Sequence, residues 1–147
     1  LYICIIFLNL LQIIKTMNQS TLRKMAFSKT ITEIMHNSAI KGVCLNNTEI
    51  IKIAMNHEAP SYFVTLAQAE KNINEYLSCG KFTNSTTEHR KKLWLSILSK
   101  LMSCGGIQNG TVLRPKLSYV LANCKAPSYF ISENYARKLF YDKTLEL

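Results

Sequence analysis

Apolar side chains recur at every third or fourth position through much of this chain, with polar residues in the positions between them. That spacing is typical of amphipathic helices. The clearest apolar stripe consists of Leu93, Trp94, Ile97, Leu98, Leu101 and Met102. We therefore predict an all-α protein whose β structure is limited to minor short bridges at residues 62–64 and 129–131.

Capping signals divide this pattern into two sets of three helices. The starts predicted for the first set are the capping box Thr30-x-x-Glu33, then Asn47 or Thr48, then the capping box Thr65-x-x-Gln68. The starts predicted for the second set are Thr87, Arg114-Pro115 and Ser132. Glycines are expected to end several of these helices, at Gly42, Gly80 and Gly105-Gly106.

One pentapeptide occurs twice in the chain. Ala59-Pro60-Ser61-Tyr62-Phe63 returns as Ala126-Pro127-Ser128-Tyr129-Phe130, an offset of 67 residues from 59 to 126. Flanking residues match at the same offset, among them Asn56 with Asn123, Ala69 with Ala136 and Lys71 with Lys138. The repetition indicates two copies of one structural unit.

We interpret residues 17–80 and 87–147 as two tandem pseudo-repeated three-helix units, joined by a linker at residues 81–86. A unit of about 60 residues is close to the lower limit for independent folding. The two units are therefore expected to pack as one domain around a shared core.

The repeated turn has two interpretations, and its named residues are Pro60, Tyr62, Phe63, Pro127, Tyr129 and Phe130. In the structural interpretation, the prolines end the second helix of each unit, the phenylalanines pack into the core and the tyrosines lie half exposed. In the functional interpretation, helix two, the turn and helix three form a helix-turn-helix-like motif that reads the major groove of DNA. The turn between residues 56 and 65 is longer than that of the standard motif.

The repeated string A-P-S-Y-F-[VI]-[ST]-x-x-x-A resembles a pattern, A-P-R-F-Y-[VI]-S-x-x-x-A, of small uncharacterised proteins of gut bacteria and their phages. Those proteins also carry the string between two helices. This chain has Ser61 and Ser128 where the pattern has Arg, and Tyr-Phe where it has Phe-Tyr. The resemblance covers residues 59–69 and 126–136. It implies a phage or mobile-element context and no particular activity.

The first 16 residues are mostly apolar and precede a methionine at position 17. The run is shorter than the roughly 20 residues of a transmembrane helix, and it lacks the basic start and the cleavage site of a secretory signal. It is interpreted first as an artefact of translation upstream of Met17, and otherwise as a buried or interfacial helix or a membrane anchor. The first interpretation predicts a cytoplasmic protein with reduced cysteines. Membrane binding is expected only if residues 1–16 are genuine.

The formal net charge of +9 is concentrated in the second half of the chain. Residues 17–80 contain six Lys or Arg and five Asp or Glu, whereas residues 81–147 contain eleven and four. A basic excess attracts phosphates. The phosphate contacts expected from this excess are Arg90, Lys91, Lys92, Lys116, Arg137 and Lys138, and those expected for bases or sugars are Asn134 and Tyr135.

Catalytic and metal-binding patterns are missing from the sequence. His57-Glu58 is followed by Pro60 and does not form the helical H-E-x-x-H motif, and the five cysteines lack zinc-finger spacing. We expect no enzyme activity, no metal, no cofactor and no small-molecule substrate. The predicted function is that of a non-catalytic DNA-binding or regulatory protein. The alternative is a structural or assembly protein that contacts other proteins through its Tyr-Phe turns.

Overall fold

The computed structural model describes residues 2–16, 18–82, 87–105 and 113–145. Within those residues the protein is all-α, as predicted, and its β structure is a single isolated bridge. The helices are α1 (Tyr2–Thr16), α2 (Gln19–Ile40), α3 (Asn47–Met55), α4 (Leu66–Cys79), α5 (Glu88–Ser103), α6 (Leu113–Asn123) and α7 (Glu133–Leu145).

Most helix boundaries lie where short polar side chains satisfy the first free backbone N–H groups. Thr65 and Gln68 form the predicted capping box of α4, and Thr87 caps α5. The Ser132 hydroxyl accepts from the backbone N–H of Tyr135 at the start of α7. Helix α4 ends at Gly80, whose φ of +71° is in the left-handed region that favours glycine.

The start predicted for the first of these helices is wrong. Helix α2 is capped by Asn18, whose side-chain oxygen accepts from the N–H of Thr21 at 2.8 Å. No glycine or proline interrupts the chain between that cap and Lys41, so the helix runs through Thr30. The hydroxyl of Thr30 donates to the carbonyl of Ala26, one turn earlier in the same helix. The caps predicted for α3, Asn47 or Thr48, are also wrong, because Asn46 caps this helix and forms a capping box with Glu49.

The helices do not group in the consecutive threes that the sequence suggested. Helix α4 packs against α5 and α6, and α7 packs against α2 and α3. In the described part of the chain, α3 makes no contact with α4 and α6 makes none with α7. The third helix of each half therefore lies on the other half. A helix-turn-helix needs its consecutive helices packed on each other, and α3 with α4 does not meet that condition.

This exchange is regular. When α2, α3 and α4 are matched with α5, α6 and α7, each contact between helices has its counterpart. Thus α2 with α7 corresponds to α5 with α4, and α3 with α7 corresponds to α6 with α4.

The two repeated turns cross each other in the middle of the molecule. Ala59 and Ala126 form an antiparallel bridge, and the N–H of each donates to the carbonyl of the other at 2.9 Å. The bridge joins the two halves, but it lies three residues before the predicted positions 62–64 and 129–131. The chain at those positions is therefore free to turn into α4 and α7.

The tyrosines of the turns are buried, contrary to the expectation that they lie half exposed. Tyr62 and Tyr129 are each 4% exposed. The hydroxyl of Tyr62 is hydrogen-bonded to Ser96 of α5 at 3.0 Å, and that of Tyr129 to Thr30 of α2 at 2.6 Å. Each ring thus reaches the opposite half, where a hydroxyl partner makes burial of the phenol tolerable.

The phenylalanines of the turns are only partly buried. Phe63 and Phe130 have φ values of +55° and +52°, which are unusual for large side chains. Phe63 stacks on Tyr129 with ring centroids 6.2 Å apart, and Phe130 stacks on Tyr62 at 6.4 Å. Each phenylalanine therefore stacks on the tyrosine of the other half. The tyrosines occupy the core positions that were predicted for the phenylalanines.

A single apolar cluster holds both halves together. Its largest fully buried side chains include Phe27 of α2, Trp94 of α5 and Phe140 of α7. Phe82 also belongs to this cluster and stacks on Tyr76 at 4.7 Å, although it lies in the segment predicted to be a polar linker. Residues 83–86 of that segment lie outside the described residues, as does Met17.

Helix α1 is separate from this cluster. Its apolar side chains are exposed wherever they are described, from Tyr2 at 84% to Leu11 at 39%. It contacts none of the other described helices. Among the described residues, no helix has both the length and the apolar character needed to span a membrane.

Truncation of the turn tyrosines should destabilise the protein more than truncation of the phenylalanines. Tyr62→Ala and Tyr129→Ala are each expected to lower the free energy of unfolding by about 3–5 kcal/mol, as for other buried aromatic residues. Phe63→Ala and Phe130→Ala should cost less, because those rings are partly exposed. Chemical denaturation followed by circular dichroism measures all four variants. A larger cost for the phenylalanine variants would show that the tyrosines do not anchor the turns.

Candidate functional site

Arg23, near the start of α2, and Arg90, in the first turn of α5, are close enough to interact electrostatically. Burial lowers the pKa of Arg90, and the positive charge of Arg23 lowers it further. Arg23 and Arg90 are separated by the offset of the repeat, 67 residues. The two equivalent positions of the halves thus carry the same charge and line the same groove.

Each guanidinium lies over an aromatic ring. The central carbon of Arg23 is 5.0 Å from the ring centre of Tyr135, and that of Arg90 is 5.3 Å from the ring of Trp94. Cation–π stacking fixes a planar guanidinium without neutralising its charge. The two positive groups are therefore held in place and remain able to bind an anion.

Nearby positive groups lower the pKa of the Tyr135 phenol. Burial raises the pKa of this phenol, but hydrogen bonds with Arg23 and Ser20 and the charges of Arg23 and Lys24 lower it more. Its pKa consequently lies below the ordinary value for tyrosine.

The arginines line an open groove with a volume of about 320 Å³, which we call the arginine groove. Its lining residues are Gln19, Ser20, Arg23, Phe63, Gln68 and Arg90. Every polar side chain in this set can donate a hydrogen bond, and none is a carboxylate. Gln19 and Ser20 begin α2, Gln68 lies in the first turn of α4, and Arg90 lies in the first turn of α5. Helix N-termini carry partial positive charge, so three of them add to the field of the arginines.

No acidic residue of the described chain neutralises the arginine groove. The salt bridges there are Lys91–Glu88, Arg114–Glu70, Lys125–Glu58 and Arg137–Glu133, and none includes Arg23 or Arg90. The Nε atom of Arg23 is buried, with no hydrogen-bond partner among the described atoms. An oxyanion is the group that this set of donors and charges fits.

The residues expected to bind nucleic acid are only partly brought together. Arg90 lines the arginine groove, and Tyr135 supports Arg23 beside it. Lys91 and Arg137 instead pair with glutamates of their own helices, at 3.8 and 3.0 Å. The remaining residues on α5 and α7, which are Lys92, Asn134 and Lys138, are exposed.

Lys116 belongs to α6 and lies near the C-terminal end of α5, whereas Arg90 lies at the N-terminal end. It lines a separate cavity with Cys104, Pro115 and Tyr119. Cys104 caps the C-terminus of α5, fourteen residues beyond Arg90. At 1.5 Å per residue, that separation is about 21 Å along the helix. Lys116 therefore does not belong to the arginine groove.

The repeated turn contributes one residue to this groove, the half-buried Phe63. Pro60 and Tyr129 line a different groove, of about 310 Å³, above the crossing of the turns. That groove includes the lysine and the glutamate of the Lys125–Glu58 pair. Pro127 is exposed, and Tyr62 and Phe130 stack on each other. The lining of the arginine groove has two cations and no acidic residue, whereas the groove beside Pro60 has two of each and the Lys116 cavity has a single cation.

Arg23 is the residue that sequence reasoning missed. The first half has nearly balanced charge, which directed attention to the second half. The signal was present, because the repeat offset also aligns Arg23-Lys24 with Arg90-Lys91. The spatial approach of Arg23 to Arg90 could not be read from that alignment, since it follows from the exchange of the third helices.

The described residues do not form a metal-binding cluster. Among the described residues, no three His, Cys, Asp or Glu side chains come together in a way that could hold a metal ion. The cysteines are free thiols, four of them exposed and Cys124 half buried.

Comparison with known proteins gives no relative: no family model, no curated protein and no solved structure matches this chain.

The phenol of Tyr135 is expected to ionise at lower pH than that of an ordinary tyrosine. Because its folded-state pKa is depressed, ionisation adds stability as the pH rises toward the unfolded value of about 10. In a spectrophotometric pH titration, one tyrosine should ionise at lower pH than the others, and Tyr135→Phe should remove this early step. Tyr119→Phe, which removes an exposed phenol of α6, should leave that step in place. An early step that survives in Tyr135→Phe would contradict the assignment.

Proposed function

We propose that this protein is a non-catalytic nucleic-acid-binding protein that holds the sugar–phosphate backbone in the arginine groove. The observation that carries the proposal is the pair Arg23 and Arg90, two stacked guanidiniums that line one groove with no carboxylate partner among the described residues. A regulatory role in a phage or mobile element belongs to the same proposal. That part is supported only by the resemblance of the repeated turn.

Phosphate suits this groove better than a single carboxylate. Two guanidiniums can donate to several oxygens of one phosphate group, in the forked geometry that arginine favours. Ser20 and the two glutamines add neutral donors at helix N-termini, which are common sites of phosphate binding. An anion also relieves the repulsion between the arginines, so binding energy and electrostatic relief act in the same direction.

The surface beside the groove extends the positive region. Lys24 lies close enough to Tyr135 for its charge to lower the phenol pKa. Lys138 follows Tyr135 by three residues on α7, so the two share a helix face. Lys91, next to Arg90 on α5, can join this surface if phosphate replaces its intrahelical glutamate, at the small cost typical of exposed pairs.

The alternative role in assembly has less support from the turns. Tyr62 and Tyr129 are buried and hydrogen-bonded inside the molecule, so their rings are not on the surface. Contacts with other proteins would have to use the half-buried phenylalanines or other exposed apolar residues.

Loss of the arginine pair should weaken nucleic-acid binding and make it less dependent on salt. Arg23→Gln/Arg90→Gln is expected to weaken binding of labelled single-stranded and duplex oligonucleotides by at least about tenfold. It should also reduce the slope of log K against log salt concentration by about 1, because the pair holds one phosphate and each lost phosphate contact removes about one. Fluorescence anisotropy titrations at several salt concentrations measure both quantities.

The matched control is Lys41→Gln/Lys100→Gln. It removes the same charge from the opposite ends of α2 and α5, since Lys41 follows α2 and Lys100 lies in the last turn of α5. This control should retain most of the affinity. Equal losses in both double variants would show that binding follows net charge and not the groove. No binding by the unaltered protein at low salt would overturn the proposed function and favour an assembly role.

A further inference from the structure

The two sides of the arginine pair differ at one equivalent position. Tyr135 of α7 and Gln68 of α4 are related by the repeat offset of 67. Both occupy the third position of their helix, where the backbone N–H donates to the hydroxyl of the preceding cap. Tyr135 lies beneath Arg23, and Gln68 lines the arginine groove with Arg90. A ring thus fills the place beside one arginine, and a shorter amide stands at the matching place beside the other.

The lining of the groove includes Gln68 but not Tyr135, so its open volume is bordered by the amide and not by the ring. Its 320 Å³ is close to the lower limit of small-molecule sites, which suits one ring-sized group and not a larger ligand. Phe63 supplies an apolar wall, and the amide nitrogen of Gln68 supplies a hydrogen-bond donor, while its oxygen accepts from the backbone N–H of Thr65. Arg90 is partly removed from water, which strengthens stacking of a planar group on its guanidinium.

A planar ring with a polar edge, joined to a phosphate, meets all of these features. We propose that the arginine groove takes one nucleotide of a single-stranded nucleic acid, with the base beside Gln68 and Phe63 and the phosphate between Arg23 and Arg90. This inference rests on the proposed function and adds the state of the nucleic acid that binds. In a duplex the base is paired and stacked, so entry would require flipping it out. A single strand presents its bases freely to aromatic and arginine surfaces.

The equivalent residue provides a direct test. Gln68→Tyr introduces the ring that the other half already carries, at a helix position where Tyr135 shows that tyrosine is accepted. The variant fills the groove without changing charge. We expect it to weaken binding of a labelled single-stranded DNA by at least about tenfold, and binding of the same sequence as a duplex by a clearly smaller factor, because only the single strand also loses the place of its base. Wild-type protein should prefer the single strand at equal salt.

Two controls separate filling of the groove from other effects of the substitution. Gln68→Ala removes the same capping-box side chain but enlarges the groove, so it should bind the single strand more tightly than Gln68→Tyr does. Leu77→Tyr adds a phenol at an exposed position near the other end of α4 and should bind as the wild type does. Thermal unfolding followed by circular dichroism confirms that each variant is folded.

The outcomes distinguish this inference from the proposed function. Duplex binding as tight as single-strand binding, or single-strand binding unaffected by Gln68→Tyr, would overturn the nucleotide site and leave the backbone-binding function standing. An absence of binding to both forms by the wild type would overturn the function itself. Competition by inorganic phosphate alone, with no gain from an attached base, would reduce the site to a phosphate site and overturn the proposal of a bound base. Parallel titrations with RNA of the same sequence show which single strand binds more tightly.

Discussion

The crossing of the two repeated turns at Ala59 and Ala126 is the constraint on which the other features of this molecule depend. Two backbone hydrogen bonds of 2.9 Å are a small contribution by themselves. Their importance lies in their position, because they fix the point from which each chain segment passes to the opposite half. Tyr62 and Tyr129 then secure the crossing, since each carries its hydroxyl to the first helix of the other half.

The arginine groove is a consequence of this exchange. Had each third helix packed on its own half, Tyr135 would lie with α5 and α6, and Gln68 with α2 and α3. The exchange places Tyr135 beneath Arg23 and Gln68 beside Arg90, on two sides of one charged pair. Because this repeat position carries a ring in Tyr135 and an amide in Gln68, the place beside Arg23 is filled and the place beside Arg90 is open. Two halves whose helix contacts correspond can in this way produce a single asymmetric groove.

Local features of the sequence predicted local features of the fold well. The caps at Thr65, Thr87 and Ser132 and the left-handed Gly80 depend on residues within one turn of each other. Features set by distant partners were not predictable in this way. Thr30 resembles a cap until Ala26 and Tyr129 are known to be its partners. The burial of Tyr62 depends on Ser96, which lies in the other half of the chain. The place of Arg23 beside Arg90 was not predicted for the same reason, although the repeat aligns the two residues.

Two unfavourable electrostatic terms meet at the arginine pair. Arg90 lies in the first turn of α5, where the helix dipole disfavours a cation. Arg23 adds like-charge repulsion, and both guanidiniums are partly withdrawn from water. The stacking rings of Trp94 and Tyr135 offset part of that cost but bring no negative charge. A structural role for the pair would be better served by an acidic neighbour, as at Arg114 and Arg137. An external anion would relieve the repulsion within this unneutralised pair, and that supports the proposal that the groove has a binding role and not only a packing role.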